Sequence, residues 1–321
     1  MTKFNAILIL ASASVFVAGM PAHSAEGPPV WAYPVNPPDF KLPPDDGVPR
    51  RVPDSTATYT LSQLRDRFIA PVWHPGDHAP LPDVVARGRK PDVFACGFCH
   101  RADGPGGPEN SGLAGLPAAY IVQQMADFKS GARKTSVPKR NIDLMISLAK
   151  AATDAEVESA AAYFSALKPR SIIKVVATDT VPKTFIMSNH LAAVKTGEQE
   201  PIGQRIIEVP EDLERFVHRD THSQFIAYVP VGSIAKGEEL VKSGGKGTTI
   251  QCAICHGPDL KGLGGLPGIA GRSPSYIVRQ LYDIKSGARA GVGRALMKAV
   301  VARLSEDDMV SIAAYLASQA P

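Results

Sequence analysis

Two five-residue motifs constrain this chain more than anything else in it: Cys96-Gly-Phe-Cys99-His100 and Cys252-Ala-Ile-Cys255-His256. Together they use all four cysteines of a 321-residue sequence. Two thiols three residues apart, followed at once by His, form the covalent attachment pattern for c-type haem. The thiols add to the two vinyl groups of one haem, and the adjacent imidazole lies beneath the iron, where its nitrogen can bind. Other uses of four cysteines fit less well. Structural zinc leaves both histidines unexplained or needs one site drawn from two distant segments. A redox dithiol wants a thioredoxin-like βαβ pattern, which the sequence does not carry. Two disulfides would suit an exported chain but give the histidines no role.

The motifs head two copies of one unit. Tyr follows His by 20 residues in both, at Tyr120 and Tyr276. The 14 residues from Tyr120 to Arg133 match those from Tyr276 to Arg289 at ten positions without a gap. Two copies are a tandem duplication; a solenoid needs three or more. Each copy is expected to carry its own haem and core. Ile121, Met125, Phe128 and Ile277, Leu281, Ile284 fall at i, i+4, i+7, which predicts a helix in each copy. Gly131 and Gly287 follow as stops. A closing helix is expected from Thr153-Asp-Ala-Glu156 and from Ser305-Glu-Asp-Asp308, both capping-box-like. Its buried face is expected at Val157, Ala161 and Phe164 in one copy and Met309, Ile312 and Leu316 in the other. The helix ahead of the motif is plain at Ile234–Val241 and shrinks to Val84–Gly88 in the first copy.

A second iron ligand would be Met, His or nothing. Met145 stands eight residues before Thr153, and Met297 eight before Ser305. The two methionines are therefore equivalent, after a loop that is four residues longer in the first copy. They are candidate axial ligands; the competing reading is that flexible Met fills the core. Met125 faces Leu281 in the repeat and Met309 faces Val157, so both read as core.

Residues 1–25 read as a secretory signal cleaved near Ala25. Lys3 gives a positive start, Ile7 to Ala18 an uncharged apolar run, and small residues follow. That run is shorter than the roughly 20 apolar residues of a spanning helix, so no transmembrane segment is expected after its removal. A formal charge of +4 is too even for a nucleic-acid partner. With 44% hydrophobic residues the chain can bury cores.

Assembled, these residues resemble the tandem, high-potential two-haem cytochromes c of bacterial periplasms. The resemblance rests on the two motifs, on Tyr-Ile-Val-x-Gln after each haem loop, and on Ala162-Tyr163 and Ala314-Tyr315 in the closing helices. It covers about residues 84–168 and 233–321. It implies a mainly α fold, two class I cytochrome c-like helical domains joined by a small β-rich insert. The carried residues are Cys96, Cys99, Cys252 and Cys255 for two covalent haem c groups, and His100, Met145, His256 and Met297 for the irons. It implies one-electron transfer between periplasmic partners, from a dehydrogenase or quinol-linked complex to another cytochrome or an oxidase, with no catalytic residues. A cytochrome subunit of a dehydrogenase complex is an alternative. So is a two-haem peroxidase or sulfur-compound oxidoreductase, which would need one open haem. In this family a Pro about eleven residues after His often supplies a carbonyl to the imidazole N–H. Pro267 fits; the first copy has Ser111 there, with Pro108 nearby.

The division expected is signal 1–25, Pro-rich arm 26–80, haem domain 81–168, insert 169–232 and haem domain 233–321. Nine prolines between positions 28 and 53 favour extended chain, available to wrap the first domain, to reach a partner or to act as a spacer. Residues 172–176, 205–209 and 225–229 read as strands. His74 and His78 form either a ligand pair or part of a plain turn-rich loop. His190, His218 and His222 read as surface residues. The basic loops before each Met (Lys129, Arg133, Lys134, Lys139, Arg140; Lys285, Arg289, Arg294) would steer an acidic partner or simply be solvated, with Arg133 and Arg289 alternatively pairing with haem propionates.

Overall fold

The computed structural model describes residues 27–138 and 140–321. The signal-like segment 1–25 and Lys139 lie outside the described residues. A first helical group contains α1 (Leu61–Arg65), α2 (Asp83–Ala86), α3 (Cys96–His100), α4 (Ala118–Lys129), α5 (Arg140–Ala151) and α6 (Asp154–Ala166). Thr153 starts α6 through a full capping box: its side chain accepts from Glu156 N, and the Glu156 side chain accepts from Thr153 N. Such a cap contributes about 1 kcal/mol. The apolar faces of α4 and α6 then meet, burying Val85, Ile121, Ala161 and Phe164 in one core.

The chain next forms β1 (Ile173–Ala177), β2 (Thr180–Pro182), β3 (Thr184–Met187), β4 (His190–Ala193), β5 (Gln199–Pro201), β6 (Ile207–Pro210), α7 (Leu213–Val217) and β7 (Phe225–Val229). Three strands form a sheet in the order β1-β7-β6, with β1 parallel and β6 antiparallel to β7. These strands fall within two residues of the β-rich runs in the sequence. Val181, Ile202, Ile207 and Val209 make a small core beside them. His190 and His218 are buried here, contrary to the surface expectation. The His190 ring packs edge-on to Phe216 at 4.2 Å, a neighbour that sequence spacing does not reveal.

A second helical group follows: α8 (Ser233–Ser243), α9 (Ala253–His256), the short β8 (Gly262–Leu263) and β9 (Leu266–Pro267), α10 (Pro274–Ser286), α11 (Arg294–Val301) and α12 (Glu306–Ser318). α12 carries the matching Ser305–Asp308 capping box and packs on α8 and α10. The α8–α12 crossing is tight at Gly237, where a Cβ would meet the Ser311 carbonyl oxygen at 1.9 Å. The core here is larger, with Val278, Leu304, Met309, Val310 and Ile312 fully enclosed.

The start of the Pro-rich arm docks on this second group, while its end packs on the first, where Ala70 shares a small core with Ala95 and Phe98. Trp31 Nε1 donates to Glu306 at 2.9 Å, Tyr33 OH to Asp283 at 2.8 Å, and Arg279 reaches back to the Ala32 carbonyl at 2.8 Å. Ala32 and Tyr33 are buried in the second core. A proline run sets an extended course but cannot say which surface it follows; two aromatic side chains decided that.

Candidate haem-binding sites

Each motif is a short helical turn, Cys96–His100 in α3 and Cys252 capping Ala253–His256 in α9. One turn of helix places residues i and i+3 on one side, so each cysteine pair faces one way with His at the end. Burial pushes the Cys96 thiol up to about 12 and the Cys252 thiol up to about 11. Neither is a ready thiolate at neutral pH, which disfavours thiol exchange. Among the described residues no disulfide joins the cysteines.

The loop after each motif turns the imidazole. His100 Nδ1 lies 2.8 Å from the Ser111 carbonyl oxygen, and His256 Nδ1 lies 2.8 Å from that of Pro267. A carbonyl can only accept, so each ring carries its proton on Nδ1 and keeps the Nε2 lone pair for a ligand bond. Burial also lowers both imidazole pKa values, which keeps them neutral. The Ser for Pro exchange in the first repeat leaves this hydrogen bond in place, because the backbone oxygen is the acceptor. Pro108 instead accepts from Arg279 at 2.5 Å. The loops close this tightly through equivalent glycines. At Gly106 φ is +68° and a Cβ would meet Gly112 N at 2.5 Å; at Gly262 φ is +109° and a Cβ would meet the Leu266 oxygen at 2.8 Å.

In the first repeat the motif opens into a largely apolar cleft of about 1430 Å³, mouth included. Cys96, Cys99 and His100 line it, Phe164 and Leu148 flank it, and Met145 on α5 stands in its wall. Met125 lines it too, which corrects the reading of that residue as core. An apolar cleft with two thiols, a neutral imidazole and a thioether fits a haem covalently held and bound through its iron. In the second repeat Met297 on α11 is half-buried and packs, with Cys252, against the second core. Met309 is core, as expected.

The two basic loops do not form a solvated steering surface at Arg133 and Arg289. The helical groups meet there about an approximate two-fold axis. Arg133 donates to Gln124 (2.8 Å), Tyr276 (3.1 Å) and Gln280 (3.1 Å). Arg289 donates to Gln280 (3.0 Å), Tyr120 (2.8 Å) and Gln124 (2.9 Å). The backbone pairs in the same way, Lys134 N to Ala288 O and Ala290 N to Ala132 O, both 2.8 Å. Sequence reasoning missed this interface. Its trace was present: Tyr, Gln and Arg are kept identical between repeats at polar positions that a solvated helix face would let vary. Tyr276, Arg279, Gln280 and Asp283 of α10 also close one side of the first cleft.

The environments of the motifs differ. Arg219, from the segment between the groups, lies 3.6 Å over the Phe98 ring and donates to the Phe98 and Leu64 carbonyls at 2.9 and 2.8 Å. Arg101 is buried behind it against Glu109. Phe98 is 7% exposed, whereas Ile254, its equivalent, is 61% exposed.

Residues 233–316 match the family model for cytochrome c oxidase, cbb3-type, subunit III. The chain is 28% identical over 234 residues to a thiosulfate dehydrogenase electron acceptor of Thiomonas intermedia, covering 71% of this chain and 80% of that protein. It is 25% identical over 246 residues to cytochrome c4 of Azotobacter vinelandii, covering 74% and 90%. Among solved structures, thiosulfate dehydrogenase from Marichromatium purpuratum matches with a TM-score of 0.48 and 28% identity over 72% of this chain. This chain spans 38% of that protein's length. Cytochrome c-554(548) of Halomonas halodenitrificans is 36% identical over 89 residues, 27% of this chain and 98% of that protein. On that match, and on two haem attachment motifs each with its imidazole held by a backbone carbonyl, the chain belongs to the c-type cytochromes.

Proposed function

We propose that the protein carries two covalent haem c groups and passes single electrons between periplasmic partners. The haem domains are 81–168 and 233–321, joined by a β-rich insert at 169–232 behind the Pro-rich arm 26–80, and residues 1–25 export the chain. The carrying observation is that both imidazoles have Nδ1 2.8 Å from a carbonyl eleven residues on, leaving Nε2 in each repeat as the iron ligand. Cys96 and Cys99 hold one group, Cys252 and Cys255 the other. Met145, in the wall of the first cleft, and Met297, at the second core, would supply the second ligand to each iron; a thioether favours reduced iron and raises the potential. The haem supplies an iron that gains and loses one electron. The chain's residues orient it, exclude water from one face and set its charge surroundings, and no side chain does bond chemistry. The unequal burial of the motifs gives the two sites different potentials and electron flow a direction. A thiosulfate-oxidising dehydrogenase is the donor suggested by the relatives named as its electron acceptors, with another cytochrome or an oxidase taking the electron on.

The test is haem content per chain together with the near-infrared sulfur-to-iron band of the ferric protein. Two haems, with the band halved in Met145→Ala and in Met297→Ala, are expected. A band from one haem and a high-spin signal from the other would favour the peroxidase or sulfur-compound oxidoreductase reading. A redox titration with two identical potentials would remove the directional claim.

A further inference from the structure

Away from both motifs, two histidines from distant parts of the chain stack face to face. The His74 and His222 rings lie 3.7 Å apart with planes 2° from parallel. A carboxylate stands at each ring: Asp220 Oδ1 is 2.9 Å from His74 Nε2, and Asp77 Oδ2 is 2.6 Å from His222 Nε2. Arg215 Nε donates to the other oxygen of Asp220 at 2.7 Å, which turns Oδ1 toward the histidines. One ligand atom from each of His74, Asp220 and His222 falls within 4.8 Å of the others. The sequence offered His74 and His78 as a pair; the fold replaces His78 with His222.

We propose that His74, Asp220 and His222 bind a divalent transition-metal ion, zinc(II) above all, with Asp77 as the fourth ligand. Two imidazoles and carboxylate oxygen suit zinc or copper(II), whereas calcium and magnesium take oxygen donors throughout. Zinc bonds of about 2.0–2.2 Å in a tetrahedron set ligand atoms roughly 3.4 Å apart. A metal lies in the plane of each imidazole that binds it, and these planes are parallel, so closing the set takes rotation of the rings out of their stack as well as side-chain shifts on the order of 1 Å. The ion takes the place of the protons that the rings now share with the carboxylates. Arg215 is the outer partner that orients a ligating carboxylate. The side chains of His222 and Asp77 are about one-third exposed, so the site opens to solvent and an ion can enter. Arg170 lies 3.6 Å from Asp77, which makes Asp77 the weakest of the four. The competing reading is a hydrogen-bond network alone, and it predicts no saturable binding. Bound metal would tie the end of the Pro-rich arm to the segment just before β7, and so clamp the cover of the first motif.

The experiment titrates zinc chloride into the chelator-treated, haem-loaded protein, so that the cysteines are occupied by haem and cannot compete. Equilibrium dialysis with elemental analysis counts zinc separately from iron. One equivalent per chain is expected, with affinity lowered roughly tenfold or more in His222→Gln. The melting temperature should rise with zinc in the native protein and rise less at the same zinc concentration in that variant. His74→Gln should behave alike; if its burial prevents folding, the variant at the more exposed His222 decides. No saturable binding up to millimolar zinc would overturn the proposal. So would binding of undiminished affinity in His222→Gln, since the ion would then sit elsewhere.

Discussion

The two haem attachment motifs share a spacing, a histidine tautomer and a loop geometry, yet they meet different surroundings. The first is packed from outside its own repeat: Arg219 covers Phe98, Arg101 is buried beside Glu109, and α10 closes one side of the cleft. The second is open, with Ile254 and, on and before α11, Leu296 and Val292 exposed at 61%, 65% and 72%. Copying a unit preserves what its own backbone encodes. Whatever the rest of the chain supplies breaks the equivalence, and here the segment 173–229 and the arm supply it unequally.

The largest expected effect is on the cores. Phe164→Ala should cost about 3–5 kcal/mol and Leu316→Ala, at the equivalent position, about 2–5 kcal/mol in urea unfolding. Phe164 lies edge-on to His100, 6.3 Å between ring centres, so only its loss should also perturb the first site's spectrum. An unchanged spectrum would mean that the ring does not shape that cleft.

The interface comes next. Arg133→Ala and Arg289→Ala should each cost roughly 1–3 kcal/mol, since each breaks three hydrogen bonds and takes the arginine donor from one tyrosine hydroxyl, Tyr276 or Tyr120. The double variant should cost more than the sum, because the Gln124 and Gln280 side-chain oxygens each keep one arginine donor in the single variants and lose both in the double. A much smaller cost at Arg289 would show that the two-fold arrangement is symmetric in shape but not in energy. Arg219→Gln removes a buried cation from beside the first motif only. It should lower the first site's potential in a redox titration and leave the second in place; equal shifts would break the contrast drawn between them.

A pH effect separates the second group further. Glu208 on β6 accepts from Ser273 and Ser275, but its Oε1 is buried without a partner. Burial, outweighing these hydrogen bonds, raises its pKa above an unfolded value of about 4.3. A carboxyl with a raised folded pKa contributes stability that is complete below the unfolded value and is lost as pH rises through the folded one. Glu208→Gln should flatten the slope of stability against pH above 4.3. The smallest stability effect is expected at the open site. Leu296→Ser should change stability by no more than about 0.5 kcal/mol while slowing electron exchange with a partner protein. An unchanged rate would move docking away from this rim.

Much of this was legible because it is local. Capping boxes, the i, i+4, i+7 faces and the glycine stops are written within a few residues, and the second copy checked each reading of the first. Val157 alone fell short, half-buried at the edge of its core. The failures share a cause. His190 and His218, Met125, Arg133 and Arg289 owe their environments to residues tens to hundreds of positions away.

The sequence by itself determined that the chain is a duplicated c-type haem binder, because the chemistry of attachment needs three residue types at one short spacing. It also determined the helices that flank each site, because helix periodicity and capping act over single turns. Only the tertiary structure decided that a backbone carbonyl serves as well from Ser111 as from Pro267. It decided too that the repeats pair through Arg, Tyr and Gln, that the arm starts on the second group and ends on the first, and that one motif is covered while the other is open. Those outcomes depend on which surfaces exclude water from one another, and burial is a property of the packed chain that no local run of residues specifies.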